Sequence, residues 1–255
     1  MNKTIHADFA PQEPKITHII EHYTTEGTLF VAGKRNSIKL FELQNLTVNV
    51  KSFKVPNALN KLVYRFIRKS KARRSYEYAI KLLGMGIGTP QPIAFYENQT
   101  TLSLKDSYYV SEHLQAKFTF RDLVSDADLP NHEIILRQFT QFCFLLHEKG
   151  VEFTDHSPGN TLIEDDGNST YSFYLVDLNR MNFHTNMDFD LRMENLKRLT
   201  PYKEMVAVMA NEYAKLYTQK TEDDIFNLLW HKTSEFQRKF FRKKRIKSRL
   251  KFIKK

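Results

Sequence analysis

Three oxygen-bearing side chains in the second half of the chain have types and spacing suited to one kind of chemistry. Asp155 and Asn160 are separated by four residues on a polar loop, and Asp177 directly follows the apolar run 174–176. Carboxylate and amide oxygens on short side chains suit hard cations such as Mg²⁺. Phosphoryl transfer requires such a cation and a carboxylate that orients the attacking hydroxyl. Each residue alone would be interpreted as a turn residue or a strand cap, but their order and spacing together favour a catalytic site.

A lysine in the first part of the chain could supply the positive charge that phosphate oxygens need. In the strand-like segment 47–53, side chains alternate between two faces, and Lys51 lies on the face opposite to two valines. Glu77, in the helical region that follows, could pair with Lys51 and hold it. The alternative interpretations are two ordinary surface charges, or Lys54 as the functional lysine on the opposite face of the strand. We prefer Lys51.

The first 110 residues predict a small antiparallel sheet that carries a helix. Short apolar, β-prone segments are separated by turn formers, and glycines and prolines between 84 and 92 mark a loop. The predicted strands are 28–31, 38–41, 47–53, 93–96 and 107–111, and helical periodicity runs from 57 to 83.

From residue 118 onward the pattern is mostly helical. The clearest helix is 131–149, followed by Gly150 as a helix-ending residue. The residues 165–168 predict a hairpin turn, and helices follow from 188. The sequence thus predicts a two-lobed α+β protein with a cleft between the lobes, where ligands bind preferentially. The predicted parts are an N-lobe (1–114), a helical C-lobe (115–237) and a basic tail (238–255).

These motifs resemble those of the protein-kinase-like superfamily over about residues 25–200. Within that superfamily, the chain is most similar to the lipopolysaccharide core kinases that phosphorylate Kdo or heptose. The resemblance rests on the segment Val50-Lys51-Ser52-Phe53-Lys54-Val55-Pro56-Asn57, the basic connection up to Arg74, Gly88-Thr89-Pro90-Gln91-Pro92, Thr154-Asp155-His156-Ser157-Pro158-Gly159-Asn160, Glu77, and Asp177-Leu178-Asn179.

The resemblance implies a role for each candidate residue and two cofactors, ATP and Mg²⁺. Lys51 would contact the ATP phosphates, beside a phosphate loop in which only Gly33 stands at the turn, and Glu77 would pair with Lys51. Asp155 would accept or orient the proton of the acceptor hydroxyl. The Mg²⁺ ligands would be Asn160 and Asp177, and the adenine pocket would be lined by the backbone of Glu112, His113 and Leu114.

Several positions depart from the protein-kinase pattern. The histidine that usually braces the catalytic loop is replaced by Phe153, and Ser157 stands where protein kinases have a lysine. No phosphorylatable activation segment is evident after Asp177. These departures argue against a protein substrate and for a small or lipid-linked acceptor.

Composition and charge limit the class of protein. The hydrophobic and aromatic fractions, 41% and 13%, exclude an intrinsically disordered chain. The single cysteine, Cys143, excludes a disulfide framework and a multi-cysteine zinc site, and we expect it to be buried and inert. The formal net charge is +10, yet the last 18 residues hold 11 Lys or Arg and no acid, so the rest of the chain is nearly neutral.

The basic tail also carries apolar residues. Ile246, Leu250 and Ile253 share one face of a helix. Such a basic amphipathic helix is typical of contact with an anionic membrane surface. A helix packed on the body of the protein and a nucleic-acid contact remain alternatives, and the second of these is disfavoured.

Neither a signal segment nor an apolar run long enough to span a membrane is apparent. We therefore expect a cytoplasmic enzyme, peripheral at the inner face of the cytoplasmic membrane, that transfers phosphate from ATP to a sugar hydroxyl. The resemblance implies the Kdo of a lipid A precursor as the acceptor, and no obligate protein partner is inferred. Two alternatives are a kinase for a soluble alcohol such as an aminoglycoside or a choline-like compound, and a pseudokinase that docks on membranes or RNA.

Overall fold

The computed structural model describes residues 1–33, 36–54, 69–99 and 104–252, with side chains up to Ser248. The chain forms two compact units. Unit 1 contains Met1–Gln115 and Tyr174–Arg180, and unit 2 contains Ala116–Phe173 and Met181–Lys255. Segment 174–180, which the prediction placed in the C-lobe, is part of unit 1, and residues 238–255, which it separated as a tail, are grouped with unit 2.

Unit 1 is built on a six-stranded antiparallel sheet with the spatial order β1-β5-β6-β4-β3-β2. All five strands predicted in this part of the chain are confirmed, and β1 was missed because its four residues are too few for alternation to show. The strands are β1 (Asn2–Ile5), β2 (Thr28–Ala32), β3 (Asn36–Leu43), β4 (Leu46–Lys54), β5 (Pro92–Gln99) and β6 (Leu104–Glu112).

Two helices pack against this sheet through different sets of side chains. The helix α1 (Glu13–Glu21), which the sequence did not predict, packs its isoleucines against Val48 and Val50 of β4. The helix α2 (Lys71–Gly84) packs against Phe53 of the same strand. Because successive strand residues alternate between faces, Lys51 lies on the Phe53 face, as predicted.

The helix α2 covers the second half of the predicted helical region, and residues 57–68 of that region lie outside the described residues. Ser70 begins α2 as its N-cap, because its side-chain oxygen accepts a hydrogen bond from the Arg73 N–H at 3.0 Å. Ala72 and Tyr76, buried on the inner face of α2, pack with Phe53. The start of α2 is therefore held in place by a cap and by core contacts.

Unit 2 is mainly helical, with short strands, as predicted. The predicted helix 131–149 is confirmed, and Gly150 ends it with a φ of +67°. A Cβ at Gly150 would lie 1.9 Å from the His184 carbonyl oxygen, so only glycine fits there. The helices are α3 (Phe120–Ser125), α4 (His132–Glu148), α5 (Phe189–Leu196), α6 (Lys203–Leu216) and α7 (Glu222–Phe252). The strands are β7 (Phe118–Thr119), β8 (Val151–Phe153), β9 (Thr161–Gly167), β10 (Thr170–Leu175) and β11 (Met181–Phe183).

The predicted hairpin turn joins β9 to β10. Asn168 and Ser169 both have positive φ angles, 52° and 59°, which match the right-handed twist of hairpin strands. The core of unit 2 includes Cys143, which is fully buried, and burial raises the pKa of its thiol. Both observations agree with the prediction of an inert cysteine.

The basic tail continues α7 directly. Ile225 and Leu229 are buried in the core of unit 2, and the Gln237 amide donates a hydrogen bond to the Pro201 carbonyl at 3.1 Å. From Arg238 to Ser248 every side chain is exposed. The apolar face predicted from Ile246 cannot be followed further, because the next two residues of that face have side chains outside the described part. Within the described residues, no helix is both long and apolar enough to cross a membrane.

Candidate active site

The structure brings two of the predicted site residues together in unit 1. The Lys51 Nζ lies 2.7 Å from the Asp177 Oδ1, and the Lys51 side chain is only 13% exposed. Lys54, the competing lysine, is exposed on the other face of β4. Of the two candidate lysines, Lys51 is therefore the one that lies beside Asp177, the predicted metal ligand.

Asp177 stands in an unusual backbone conformation, with a φ of +60°. Aspartate is among the few residues other than glycine that enter this left-handed region, which costs most other residues roughly 1–2 kcal/mol. The Asn179 amide donates to the Asp177 Oδ1 at 2.6 Å. Two contacts anchor the segment: Thr89 Oγ1 donates to the Leu175 carbonyl, and Arg74 Nη1 donates to the Asn179 carbonyl. The position of the carboxylate is thus set by loop and helix contacts within unit 1.

Glu77 pairs with residues other than the predicted one. Its carboxylate lies 2.8 Å from the Lys69 Nζ and 2.9 Å from the Arg73 Nε. Although burial alone would raise the pKa of Glu77, the hydrogen bonds from Lys69 and Arg73 hold it below its usual value. The predicted Lys51–Glu77 pair is wrong in this structure, because local partners at i−4 and i−8 satisfy Glu77 while Asp177 satisfies Lys51.

Two backbone predictions concern the nucleotide. A Cβ at Gly33 would lie 2.4 Å from the Asn36 carbonyl oxygen, so the chain approaches itself closely where only glycine fits. Residues 34 and 35 of the predicted phosphate loop lie outside the described residues. The N–H groups of Glu112 and His113 donate to the Gln91 and Thr47 carbonyls.

Because those two N–H groups are engaged in the sheet, an adenine ring would meet this segment through the Leu114 N–H or through carbonyl oxygens. The His113 ring lies 5.1 Å from the Phe30 ring, edge to face, and burial lowers the pKa of His113. That the backbone of residues 112–114 lines the adenine pocket stays a prediction. It now concerns the Leu114 N–H and the carbonyl oxygens of this segment.

In unit 2 the structure brings Asp155 and Asn160 together. The Asn160 N–H donates to the Ser157 carbonyl at 2.9 Å and closes the short 3₁₀ turn Pro158–Asn160. The Asn160 Nδ2 donates to the Asp155 carbonyl oxygen at 2.8 Å and ties this turn to Asp155. The Arg198 Nη1 donates to the Asp155 Oδ1 and to the Thr154 carbonyl oxygen, both at 3.1 Å. The Arg198 guanidinium also lies 5.1 Å from the Phe236 ring. Arg198, 43 residues from Asp155 in sequence, gave no sequence signal.

Buried neutral groups support the same loop beneath Asp155. The Asn195 Nδ2 donates to the Phe153 carbonyl at 2.9 Å, and the His156 ring packs 5.5 Å from the Phe153 ring. His147 contacts the Asn195 Oδ1 at 3.3 Å and the Tyr213 hydroxyl at 2.8 Å. Burial lowers the pKa of His147 to about 3 and that of His156 to about 4, so both rings are neutral at pH 7. Phe153 therefore replaces the bracing histidine without leaving the loop unsupported, and His156 packs in the interior.

These groups fit the cofactors that the sequence implies. Asp177 offers carboxylate oxygens, and Asn160 keeps an amide oxygen because its hydrogen bond uses the Nδ2. Both are hard ligands of the kind that Mg²⁺ selects. Lys51 offers an ammonium group for phosphate oxygens. Asp177 and Lys51 belong to unit 1, whereas Asp155 and Asn160 belong to unit 2.

Comparison with known proteins identifies the family. Residues 42–229 match the lipopolysaccharide kinase (Kdo/WaaP) family. A solved structure described as WaaP in complex with acyl carrier protein has a similar fold, with a TM-score of 0.65 and 13% sequence identity over 94% of this chain and 98% of that chain. No curated protein sequence matches the chain.

The structural match confirms the predicted protein-kinase-like fold. The family match covers about three quarters of the chain and includes Lys51, Asp155, Asn160 and Asp177. It confirms the predicted enzyme class, an ATP-using phosphotransferase that acts on a sugar hydroxyl in lipopolysaccharide biosynthesis. The chain belongs to the lipopolysaccharide kinase (Kdo/WaaP) family.

Proposed function

We propose that this chain transfers the γ-phosphoryl group of ATP, with Mg²⁺, to a hydroxyl of Kdo in a lipid A precursor. The observation that supports it most strongly is the family match over residues 42–229, which includes both parts of the candidate site. The two parts carry the groups that such a transfer needs: an ammonium, two metal-ligand side chains and a carboxylate held by an arginine.

Each residue has one task in this proposal. Asp155 accepts or orients the proton of the acceptor hydroxyl, and Arg198 fixes the direction of its carboxylate. Lys51 binds phosphate oxygens, and Asp177 and Asn160 hold Mg²⁺. The metal, when bound, neutralises charge that develops on the transferred phosphoryl group. No activation segment is required, because Arg198 already holds the Asp155 carboxylate and the Asn160 side chain holds its backbone carbonyl.

We also propose that the enzyme works at the inner face of the cytoplasmic membrane and docks there through the end of α7. In this segment Phe240, Phe241 and Ile246 are exposed by 53%, 58% and 47% of their surface. They lie among the 11 basic residues of 238–255. Each Lys or Arg near an anionic leaflet contributes about 1 kcal/mol. Because the packed part of α7 ends near Gln237, the exposed part can meet a bilayer without disturbing the core of unit 2.

A protein partner is a further candidate. The solved protein of similar fold was described in complex with acyl carrier protein. We therefore propose acyl carrier protein as a partner of this chain, which would replace the expectation of no obligate protein partner. Co-elution from a sizing column and a rise in melting temperature on mixing would support it. Separate elution with an unchanged melting temperature would argue against it.

The central experiment is transfer of radiolabelled phosphate from ATP to a Kdo-bearing lipid A precursor in anionic vesicles. The wild type should label the lipid in the presence of Mg²⁺. Asp155→Ala should not, and Asp165→Ala, which removes an exposed carboxylate of the hairpin turn, should act like the wild type. Label in a soluble alcohol but not in the lipid would favour a soluble-substrate kinase. The absence of both transfer and ATP binding would favour a pseudokinase.

Truncation after Gln237 tests the membrane role separately. We expect the apparent KM for the lipid acceptor in vesicles to rise several-fold at low salt, while the KM for a soluble sugar analogue stays constant. The difference should shrink as ionic strength rises, because salt screens the attraction. Equal effects on both acceptors would contradict membrane docking by this segment.

A further inference from the structure

A second lysine shares the aromatic platform of Lys51 in unit 1. Lys71, the first residue of α2, has its Nζ 5.8 Å from the centre of the Phe53 ring. The Lys51 Nζ lies 5.4 Å from the centre of the same ring. The Ser70 cap and the core contacts of Ala72 fix the backbone on both sides of Lys71. The ammonium groups of Lys51, on β4, and Lys71, on α2, thus lie near the same buried ring of Phe53.

The charges around Lys71 are predominantly positive. The groups that act on it are the cations Arg180, Arg74 and Lys51, and one anion, Asp177. That anion already forms the 2.7 Å ion pair with Lys51. Across residues 1–33, 36–54, 69–99 and 104–248, no carboxylate forms an ion pair with Lys71.

Because Lys71 is half-buried, its positive charge among other cations is unfavourable when no ligand is bound. Burial lowers the pKa of Lys71, the three nearby cations act in the same direction, and Asp177 opposes them. A further anion of high charge would stabilise a half-buried cation among other cations. Lys69, two residues earlier, shows the contrast, because it is satisfied by Glu77.

We infer that Lys71 is a second phosphate-binding lysine, which together with Lys51 binds the polyphosphate chain of the nucleotide. The inference rests on the proposed function, since it concerns the same nucleotide site. A polyphosphate carries several negative charges spread along its length, which matches cations spread over β4, α2 and segment 174–180. A lysine meets such a group as a point charge, without the planar fit that an arginine requires. Adenine and ribose are neutral and would gain little from this cluster.

The test is calorimetric binding by the full-length chain of three probes: ADP, adenosine and inorganic tripolyphosphate. The variants are Lys71→Met, Lys71→Arg and, as a matched control with the same charge change, Lys54→Met on the exposed face of β4. Lys71→Met should weaken ADP and tripolyphosphate binding by about 10-fold or more. It should change adenosine binding by less than about 2-fold. Lys71→Arg should retain most of the affinity, and Lys54→Met should bind all three probes like the wild type.

Two results would overturn the inference while leaving the proposed function intact. One is unchanged ADP binding by Lys71→Met; the other is an equal loss of ADP and adenosine binding, which would mean a structural role. Melting temperatures of the variants report folding separately. A wild type that binds no ADP would overturn the proposed function as well.

The lipid acceptor also carries phosphate groups that Lys71 could bind. Steady-state kinetics distinguishes binding of the nucleotide from binding of the acceptor. Lys71→Met should raise the KM for ATP and leave the KM for the acceptor unchanged. The opposite pattern would assign Lys71 to the acceptor and overturn its assignment to the nucleotide.

Discussion

The two units hold their candidate site residues by different physical means. In unit 1, charged side chains pair with each other: Lys51 with Asp177, and Glu77 with Lys69 and Arg73. In unit 2, Asp155 forms an ion pair with Arg198, and the loop that carries it is supported by buried, neutral groups. The charged arrangement of unit 1 can exchange partners when an anion or a cation arrives, whereas the buried network of unit 2 keeps one geometry.

This difference matches the tasks in the proposed function. In that proposal, Mg²⁺ and the ATP phosphates meet Asp177 and Lys51 of unit 1, so the resting ion pair between these two residues must be replaceable. A carboxylate that orients a hydroxyl must instead be held within hydrogen-bond reach in one direction.

Asp155 should be the most sensitive position. Asp155→Ala should lower kcat by roughly 10²–10⁴-fold, the range for a positioned acid or base. The KM for ATP should change little, since the lysines of unit 1 remain. Steady-state kinetics with both substrates measures this, and wild-type-like turnover would mean that the catalytic loop lies elsewhere in the chain.

The buried histidines of unit 2 should make stability fall at mildly acid pH. The folded pKa values of His147 and His156, about 3 and about 4, lie below the unfolded value of about 6.5. The unfolded chain therefore binds more protons between pH 6.5 and 4, so stability is complete above pH 6.5 and is lost as the pH falls. Each histidine should lower the free energy of unfolding by roughly 1 kcal/mol per pH unit within this window.

Urea unfolding at pH 7 and pH 5 measures this effect. His156→Leu should remove about half of the pH dependence, because it removes one of the two buried rings. Substitution of an exposed histidine, His231→Gln, should leave the dependence as it is in the wild type. An unchanged slope in His156→Leu would mean that His156 is not buried and neutral in solution.

Two substitutions of Asp177 should show how much the left-handed backbone conformation at this position affects stability. Asp177→Ala and Asp177→Gly both remove the metal ligand and should lose activity equally. Because φ is +60° at this position, Asp177→Gly should be more stable than Asp177→Ala by about 1 kcal/mol. Denaturant unfolding measures the difference, and equal stabilities would indicate that this segment has no left-handed residue in solution.

Substitution of Glu77 should have the smallest effect on activity. Since its partners are Lys69 and Arg73, Glu77→Gln should change kcat and the KM for ATP by less than about 3-fold, as expected for partly exposed ion pairs. Lys51→Met is the contrasting variant and should raise the KM for ATP strongly. A loss of 10-fold or more in Glu77→Gln would show that Glu77 moves to Lys51 during turnover.

Local patterns explain why much of the fold could be predicted. Short apolar, β-prone segments between turn formers identified β2 to β6, with alternation in β4, and 3.6-residue periodicity identified α4 to within one residue at each end. Turn chemistry located the β9–β10 hairpin. Element β1 and helix α1 were missed because β1 is very short and α1 begins in a polar stretch with weak periodicity. The division into units was only partly predictable, since the return of 174–180 to unit 1 depends on long-range contacts.

Residue type and spacing alone were enough to propose the residues that carry the chemistry. Side-chain type and spacing identified Lys51, Asp155, Asn160 and Asp177, because phosphoryl transfer constrains both. How these residues are held depends on contacts that no local pattern encodes: Lys51 pairs with Asp177 and not with Glu77, and Arg198 holds Asp155. The physical reason is distance along the chain. An ion pair between residues more than 40 positions apart leaves no local pattern, and many nearby charges compete for each partner until packing brings one of them within reach.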